Sequence, residues 1–183
     1  MRIKCIKNKT LSEEPFYSEL GKIYIVYAFG IFREYFKYCI CDESYSFYPL
    51  WNPANFFEII DGCCSRYWLV GLREDNNEKI PFLSFPEWAN NPYFYGELVD
   101  GNKNDTNAII FRKYKALMDL EFPDPSITEK AEIGDRDWLI CPKCIDAWEW
   151  KDDRDALVKC PKCRTIFNNP RYKNEYPHLN IRI

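Results

Sequence analysis

The sequence predicts an α+β protein: a small N-terminal antiparallel β-sheet or barrel with short helices, then a C-terminal module built on cysteines. Three observations lead there. Aromatic residues make up 17% of the 183 residues and gather in short runs broken by Gly, Pro and Asp. Tyr, Phe and Trp suit the half-buried surface of strands. The stretch 107–119 carries apolar residues at helical spacing. Finally, Cys141-Pro-Lys-Cys144 recurs as Cys160-Pro-Lys-Cys163, with fifteen residues between the two copies. A chain of this length buries roughly 70% of the surface its unfolded form exposes, enough for a real core. We expect a β-rich domain over 1–125 and the module, with a C-terminal tail, over 135–183.

The elements follow in chain order. Lys22-Ile-Tyr-Ile-Val-Tyr-Ala-Phe reads as one strand, and Gly30 as a turn or bulge before a partner strand over 34–41. Asp42-Glu-Ser reads as a turn. Tyr48-Pro-Leu-Trp-Asn-Pro53 reads as an extended loop or sheet edge, because neither Pro can donate to a ladder. The segment 54–60 suits a helical turn and a strand equally. Asp61-Gly62 is a turn signal and 65–70 a further strand, while the polar 74–79 reads as an exposed loop. The aromatic stretch 82–98, interrupted by Pro86 and Pro92, reads as short helical turns packed on the sheet. Asp105 or Thr106 suits the cap of the helix over 107–119. Ile110, Phe111, Tyr114, Leu117 and Met118 form its apolar stripe, which reads as core packing. Phe122-Pro-Asp-Pro125 ends that helix, and Ser126-Ile-Thr-Glu129 has capping-box spacing.

Net charge is −3 but unevenly spread. Residues 1–40 carry seven basic and four acidic groups, 41–134 eight and sixteen, and 135–183 ten and eight, giving +3, −8 and +2. The acidic middle would repel nucleic acid and attract a basic protein, with Glu74, Asp75 and Glu78 as the candidate contact residues. The stretch 156–174 holds five basic residues and no acidic one: Lys159, Lys162, Arg164, Arg171 and Lys173. With Phe167 and Tyr172 interleaved it is a candidate nucleic-acid contact, through phosphates and stacking. Lys143, Lys159 and Lys162 would equally serve to offset the charge of neighbouring thiolates. Nine cysteines, five of them outside the doubled motif, make an awkward disulfide framework and point to a reducing cytoplasm. We expect no membrane span and no signal peptide, since no long apolar run occurs.

Two Cys-x-x-Cys pairs at this spacing are the pattern of a four-thiolate zinc site, with Cys141, Cys144, Cys160 and Cys163 as ligands. Each pair offers two sulfurs from one tight turn, and Pro142 and Pro161 help preform those turns. Iron binds such pairs too. One structural Zn2+ per chain is the expectation, because four thiolates leave no open position for chemistry. No catalytic constellation is legible. His178 is the only histidine and has no evident partner, no Gly-rich phosphate loop occurs, and the acids at 42, 43, 58, 61, 74 and 75 are scattered. Cys63-Cys64 reads as packing rather than a reactive thiol site. We expect a non-enzymatic protein.

Trp138-Leu-Ile runs into the first cysteine pair and Ala147-Trp-Glu-Trp returns from it. Leu157-Val-Lys and Thr165-Ile-Phe do the same around the second. Over 137–170 this resembles a zinc ribbon, departing from it where ribbons often carry Gly after each pair and this chain has Ile145 and Arg164. Lys22-Ile-Tyr-Ile-Val-Tyr-Ala, the segment from Tyr48 to Asp61 and Met118-Asp-Leu-Glu-Phe-Pro-Asp-Pro, with the terminal module, are similar to small bacterial proteins of the immunity type. That resemblance implies a cytoplasmic inhibitor that occludes a cognate toxin, often a basic nuclease. A nucleic-acid-binding ribbon protein is the alternative.

Overall fold

The computed structural model of the chain describes residues 1–9, 17–32, 34–42, 47–75 and 78–173. His178, the acid at 43 and most of the turn read at 42–44 lie outside them. The chain divides into two units, one over Met1–Met118 and the other beginning at Asp119. The fold is α+β: antiparallel sheets, short helices and a C-terminal cysteine cluster. Its sheets are open, so the barrel alternative is excluded.

In the first unit, β1 (Arg2–Cys5), β2 (Ile23–Ile25) and β6 (Phe57–Asp61) form a three-stranded sheet in the order β2-β1-β6. A five-stranded sheet takes β3 (Ala28–Phe32), β4 (Tyr35–Ile40), β5 (Leu50–Pro53), β7 (Leu69–Asp75) and β8 (Glu78–Ser84) in the order β5-β4-β3-β8-β7. The single strand expected over 22–29 is thus two strands in different sheets. The switch occurs between neighbours: Val26 N–H donates to Met1 O at 3.2 Å, and Tyr27 N–H donates to Cys39 O at 2.8 Å. Both halves have the same β-prone composition, so nothing local marks the change of partner.

Gly30 is not a turn but the middle of β3, opposite Lys37 and Phe82. A Cβ there would stand 3.1 Å from the Phe82 Cβ and 3.7 Å from the Trp51 ring, so the missing side chain makes room for those two aromatics. The turn to β4 comes later, where Glu34 takes φ 71°. Of the polar 74–79, read as a loop, residues 74 and 75 end β7 and 78 and 79 begin β8, with Glu74 paired to Lys79 and Asp75 to Glu78. The strand expected from Ser65 starts only at Leu69, because 65–68 closes a turn with Trp68 N–H on Ser65 O. Segment 54–60 contains both forms that it suits, a 3-10 turn Ala54–Phe56 followed by β6.

Residues that pair directly in an antiparallel sheet share a face. One face of the five-stranded sheet therefore holds Gly71, Phe82, Phe32 and Trp51, where Trp88 of α1 (Pro86–Ala89) meets Phe82 and Trp51, and Tyr95 of α2 (Phe94–Asp100) meets Trp51; α3 (Thr106–Glu121) joins this layer through Phe85. Phe85 is the hub of that layer. It is fully buried, stacks on Tyr114 at 4.4 Å and meets Phe94 edge-on at 5.4 Å. The other face holds Val70, Leu72, Leu83, Phe29, Phe36 and Tyr38. There Tyr38 is covered by Phe57 of the three-stranded sheet at 6.1 Å. Within α3 the buried positions Phe111, Tyr114 and Met118 follow the expected stripe. The capping box at Ser126 is not used as such. Asp124 holds the turn instead, its Oδ1 accepting from Ser126 N–H at 2.9 Å.

Gly71 shows how closely α1 lies on the sheet. A Cβ there would come within 2.6 Å of Ala89 O and 2.7 Å of the Phe82 ring. Gly71→Ala should therefore destabilise the protein by roughly 2 kcal/mol, as overpacking does in a close-packed interior. Denaturant unfolding of Gly71→Ala beside Gly96→Ala checks this. Position 96 is helical with no atom within 4 Å of the added Cβ, so the second change should stabilise by about 0.5–1 kcal/mol.

Candidate metal centre

Two hairpins build the centre. β10 (Trp138–Ile140) pairs with β11 (Ala147–Glu149), and β12 (Leu157–Lys159) pairs with β13 (Ile166–Asn168). Each is an apolar strand that runs into a Cys-Pro-Lys-Cys turn and returns, as the sequence reads. Leu139 opposite Trp148, and Val158 opposite Phe167, are all buried and supply the apolar floor.

The turns are near copies. Cys141 N–H donates to Asp146 O and Ile145 N–H to Cys141 O, both at 2.9 Å. Cys160 N–H donates to Thr165 O at 2.9 Å and Arg164 N–H to Cys160 O at 3.0 Å. Closing a turn this tightly forces the residue after each pair into the left-handed region, with φ 58° at Ile145 and 64° at Arg164. Ribbons often place Gly there for this reason, and this chain makes the same turn with side chains present.

The four sulfurs converge. All lie within 4.8 Å of one another. Cys141 Sγ is 3.6 Å from Cys163 Sγ, and Cys144 Sγ is 3.7 Å from Cys160 Sγ, so each close pair joins one turn to the other. A tetrahedron with metal–sulfur bonds of about 2.3 Å has edges of about 3.8 Å, so the donor set fits one ion of that kind. These separations are far beyond a disulfide bond, and all nine cysteines are free. Cys141 and Cys160 are buried, Cys144 is half-buried and Cys163 is exposed.

The surroundings favour anionic sulfur unevenly. The Thr165 hydroxyl, 3.3 Å from Cys163 Sγ, and then the Thr165 backbone N–H hold Cys163 down to about 6. At Cys144 the Asp146 N–H acts in the same direction. Desolvation and the three neighbouring thiols outweigh it and push that thiol up to about 12. Four sulfurs this close cannot all ionise without a cation among them. A divalent ion held by the four would resolve the conflict by taking them all as thiolates.

Two supports were not legible in the sequence. Segment 127–133 straps the hairpins together. β9 (Glu132–Ile133) pairs with β10, while Ala131 N–H donates to Asn168 O at 3.2 Å and Asn168 N–H to Glu129 O at 2.9 Å. Arg171, named above as a candidate nucleic-acid contact, directs its guanidinium at main-chain carbonyls. It donates to Trp150 O at 3.0 Å, Trp138 O at 3.3 Å and Arg136 O. Asn169 closes the neighbouring turn by donating to Asp155 O at 2.8 Å. No motif announces either residue.

Of the other candidates, Lys143 does not stand free beside the thiolates; its ammonium pairs with Glu129 at 3.1 Å. Lys173 pairs with Asp153 at 3.7 Å. Lys159, Lys162 and Arg164 are exposed. Glu74 and Glu78 are exposed near the tip of the β7–β8 hairpin, and Asp75 ends β7. Cys63 and Cys64 follow β6, with Cys63 N–H donating to Asp61 Oδ1 at 3.0 Å. No protein family, curated protein or solved structure matches the chain. The likeness to immunity proteins gains no support there.

Ile145 is 76% exposed, so its side chain contributes little burial to set against its backbone conformation. The left-handed region costs an L-residue roughly 1–2 kcal/mol, of which glycine's larger unfolded-state entropy cancels about half. Ile145→Gly should therefore raise the stability of the module by up to about 1 kcal/mol without altering the sulfur set. Resistance to proteolysis within 135–173 under denaturant titration reads this out.

Proposed function

We propose that this chain is a non-enzymatic binding protein in which a C-terminal zinc ribbon is a structural module and the N-terminal unit carries recognition. The observation that carries the reading is the closed set of four sulfurs on two matched turns. Zn2+ bound by Cys141, Cys144, Cys160 and Cys163 would have no position left for water or substrate, so it would supply folding free energy. That free energy matters here because the buried apolar floor of the module is small: Ala131, Leu139, Trp148, Val158 and Phe167 besides two of the cysteines.

Support for recognition by the first unit comes from the uncovered end of the five-stranded sheet. Val70, Leu72 and Phe36 share a face and are 69%, 52% and 54% exposed, and Glu74 continues that face at its margin. An apolar patch with Glu74 at its margin, in a region of net charge −8, suits a basic protein partner. The immunity form of this reading is a cytoplasmic inhibitor that occludes a basic toxin. A reducing compartment suits nine unpaired cysteines. Among the described residues no helix is long and apolar enough to cross a membrane.

One observation favours nucleic acid as the second reading. Lys159, Lys162 and Arg164 are exposed together around the second turn, and none forms an ion pair among the described residues. The group is small, and the chain as a whole is acidic.

The test is a defined complex. A partner captured from the native host should be basic, bind 1:1 and bind more weakly as salt rises. Val70→Asp with Glu74→Lys and Glu78→Lys should weaken it by roughly tenfold or more, with metal content unchanged. Binding indifferent to salt and to these substitutions would count against the proposal. RNA or DNA binding lost on reversing Lys159, Lys162 and Arg164 would favour the second reading.

A further inference from the structure

A cleft of about 540 Å³ opens in the first unit, over the sheet face that holds Phe82 and Trp51 and beside the start of α2. That volume suits a small molecule. Its walls are aromatic: Phe32, Trp51, Phe82, Trp88, Tyr93 and Tyr95. They brace one another. Trp88 stacks on Tyr95 at 5.3 Å, and Trp51 stands edge-on to both, at 5.9 and 6.1 Å. The Tyr95 hydroxyl donates to Pro49 O at 3.1 Å, which fixes that ring. Walls held in this way need little ordering when a ligand enters.

The charges around the cleft are already engaged or face elsewhere. The Arg73 guanidinium lies 3.7 Å from the Phe32 ring centroid and donates to Ile31 O at 2.6 Å. Glu74 and Lys79 border the cleft, but they pair with each other on the opposite face of the sheet, with Leu72. An anion among the rings would therefore lose water and gain no uncommitted cation. A cation needs an open ring face. Phe32 already holds Arg73 and, at 5.2 Å, Lys37, while Trp88 stacks on Phe94 as well as on Tyr95. Losing hydration without a partner costs an ion far more than it costs an uncharged ring.

The walls do offer unspent hydrogen-bond donors. The indole N–H groups of Trp68 and Trp150 donate to carbonyls, Tyr27 O at 3.1 Å and Asp152 O at 2.6 Å. Those of Trp51 and Trp88 donate to no acceptor among the described residues, although Trp88 is only 3% exposed. Neither is sealed in as the Trp148 N–H is, and both tryptophans line the cleft. Ring edges and indole N–H groups carry positive partial charge, so they attract a lone pair or the π-face of another ring.

Gly96 is a further, independent feature. It lies inside α2 and lines the cleft, and a Cβ there would have no heavy atom within 4 Å. Glycine in a helix costs about 1 kcal/mol relative to alanine. Packing does not require it here, and a side chain at 96 would fill the opening.

We propose that this cleft binds an uncharged planar heteroaromatic molecule, its ring beside Trp51, Tyr93 and Gly96 and a ring nitrogen or carbonyl oxygen accepting from the indole N–H of Trp51 or Trp88. The site belongs to the first unit and is independent of the sulfur centre.

The test uses the full chain and bicyclic probes of similar shape: isoquinoline, which is uncharged at neutral pH, N-methylisoquinolinium, 2-naphthoate and naphthalene. Titrations are followed by NMR at the tryptophan indole N–H resonances, assigned with Trp51→Phe and Trp88→Phe. Isoquinoline should saturate and bind roughly tenfold or more tighter than either ion. It should move the Trp51 or Trp88 resonance downfield of its position with naphthalene, as a hydrogen bond to the ring nitrogen does. Gly96→Leu should weaken isoquinoline binding by roughly tenfold or more by filling the cleft, with the circular dichroism spectrum unchanged. Any of these results would overturn the proposal: no saturable shift with isoquinoline, either ion binding as tightly, no downfield shift relative to naphthalene, or undiminished binding to folded Gly96→Leu.

Discussion

Four sulfur atoms within 4.8 Å of one another are the constraint on which the C-terminal unit depends. Each hairpin alone is two strands of three residues, which is too little to persist in water. Their apolar floor adds only a few side chains, and Trp148 lies on it with an indole N–H that finds no acceptor among the described residues. What joins the hairpins is the crossed pairing of sulfurs, Cys141 with Cys163 and Cys144 with Cys160. The strained backbone at Ile145 and Arg164 belongs to the same two turns, which aim both sulfurs of each pair at one point. The strap 127–133 and the Arg171 guanidinium then tie the surrounding carbonyls and strands to this centre.

The N-terminal unit is stabilised differently. Its interior is a continuous aromatic layer in which Phe85, Trp88, Phe94, Phe111 and Tyr114 meet through stacked and edge-on contacts. Rings of this size need gaps opposite them, and Gly30 and Gly71 provide those gaps on the sheet. The same abundance of rings leaves surplus apolar surface. Part of it lines the cleft beside Arg73, and part lies uncovered at Val70, Leu72 and Phe36. The proposed function assigns recognition to the unit that carries these two surfaces and a structural role to the unit with the four sulfurs.

Much of the sulfur site was legible in the sequence, because its information is local. A doubled Cys-Pro-Lys-Cys with apolar flanks specifies both the ligands and the strands that carry them. Helix α3 was legible for the same reason, since its stripe repeats within a few turns. What was not legible depends on distant partners. The break between β2 and β3 is invisible because both halves are equally β-prone. The β7–β8 hairpin was hidden by Glu74, Glu78 and Lys79, which are polar because the tip of an edge hairpin is solvated. The cleft draws on positions 32, 51, 73, 82, 88 and 95, which only the sheet order brings together. Arg171 reads as one more basic residue until its carbonyl partners are seen.

The central claim is that Cys141, Cys144, Cys160 and Cys163 hold one ion as a complete sulfur set. X-ray absorption at the zinc edge on gently purified protein tests it most directly. The account predicts one zinc per chain, with a first shell of four sulfurs at about 2.3 Å and no lighter neighbour. A first shell containing oxygen or nitrogen, or protein that holds its fold with no metal bound, would contradict it.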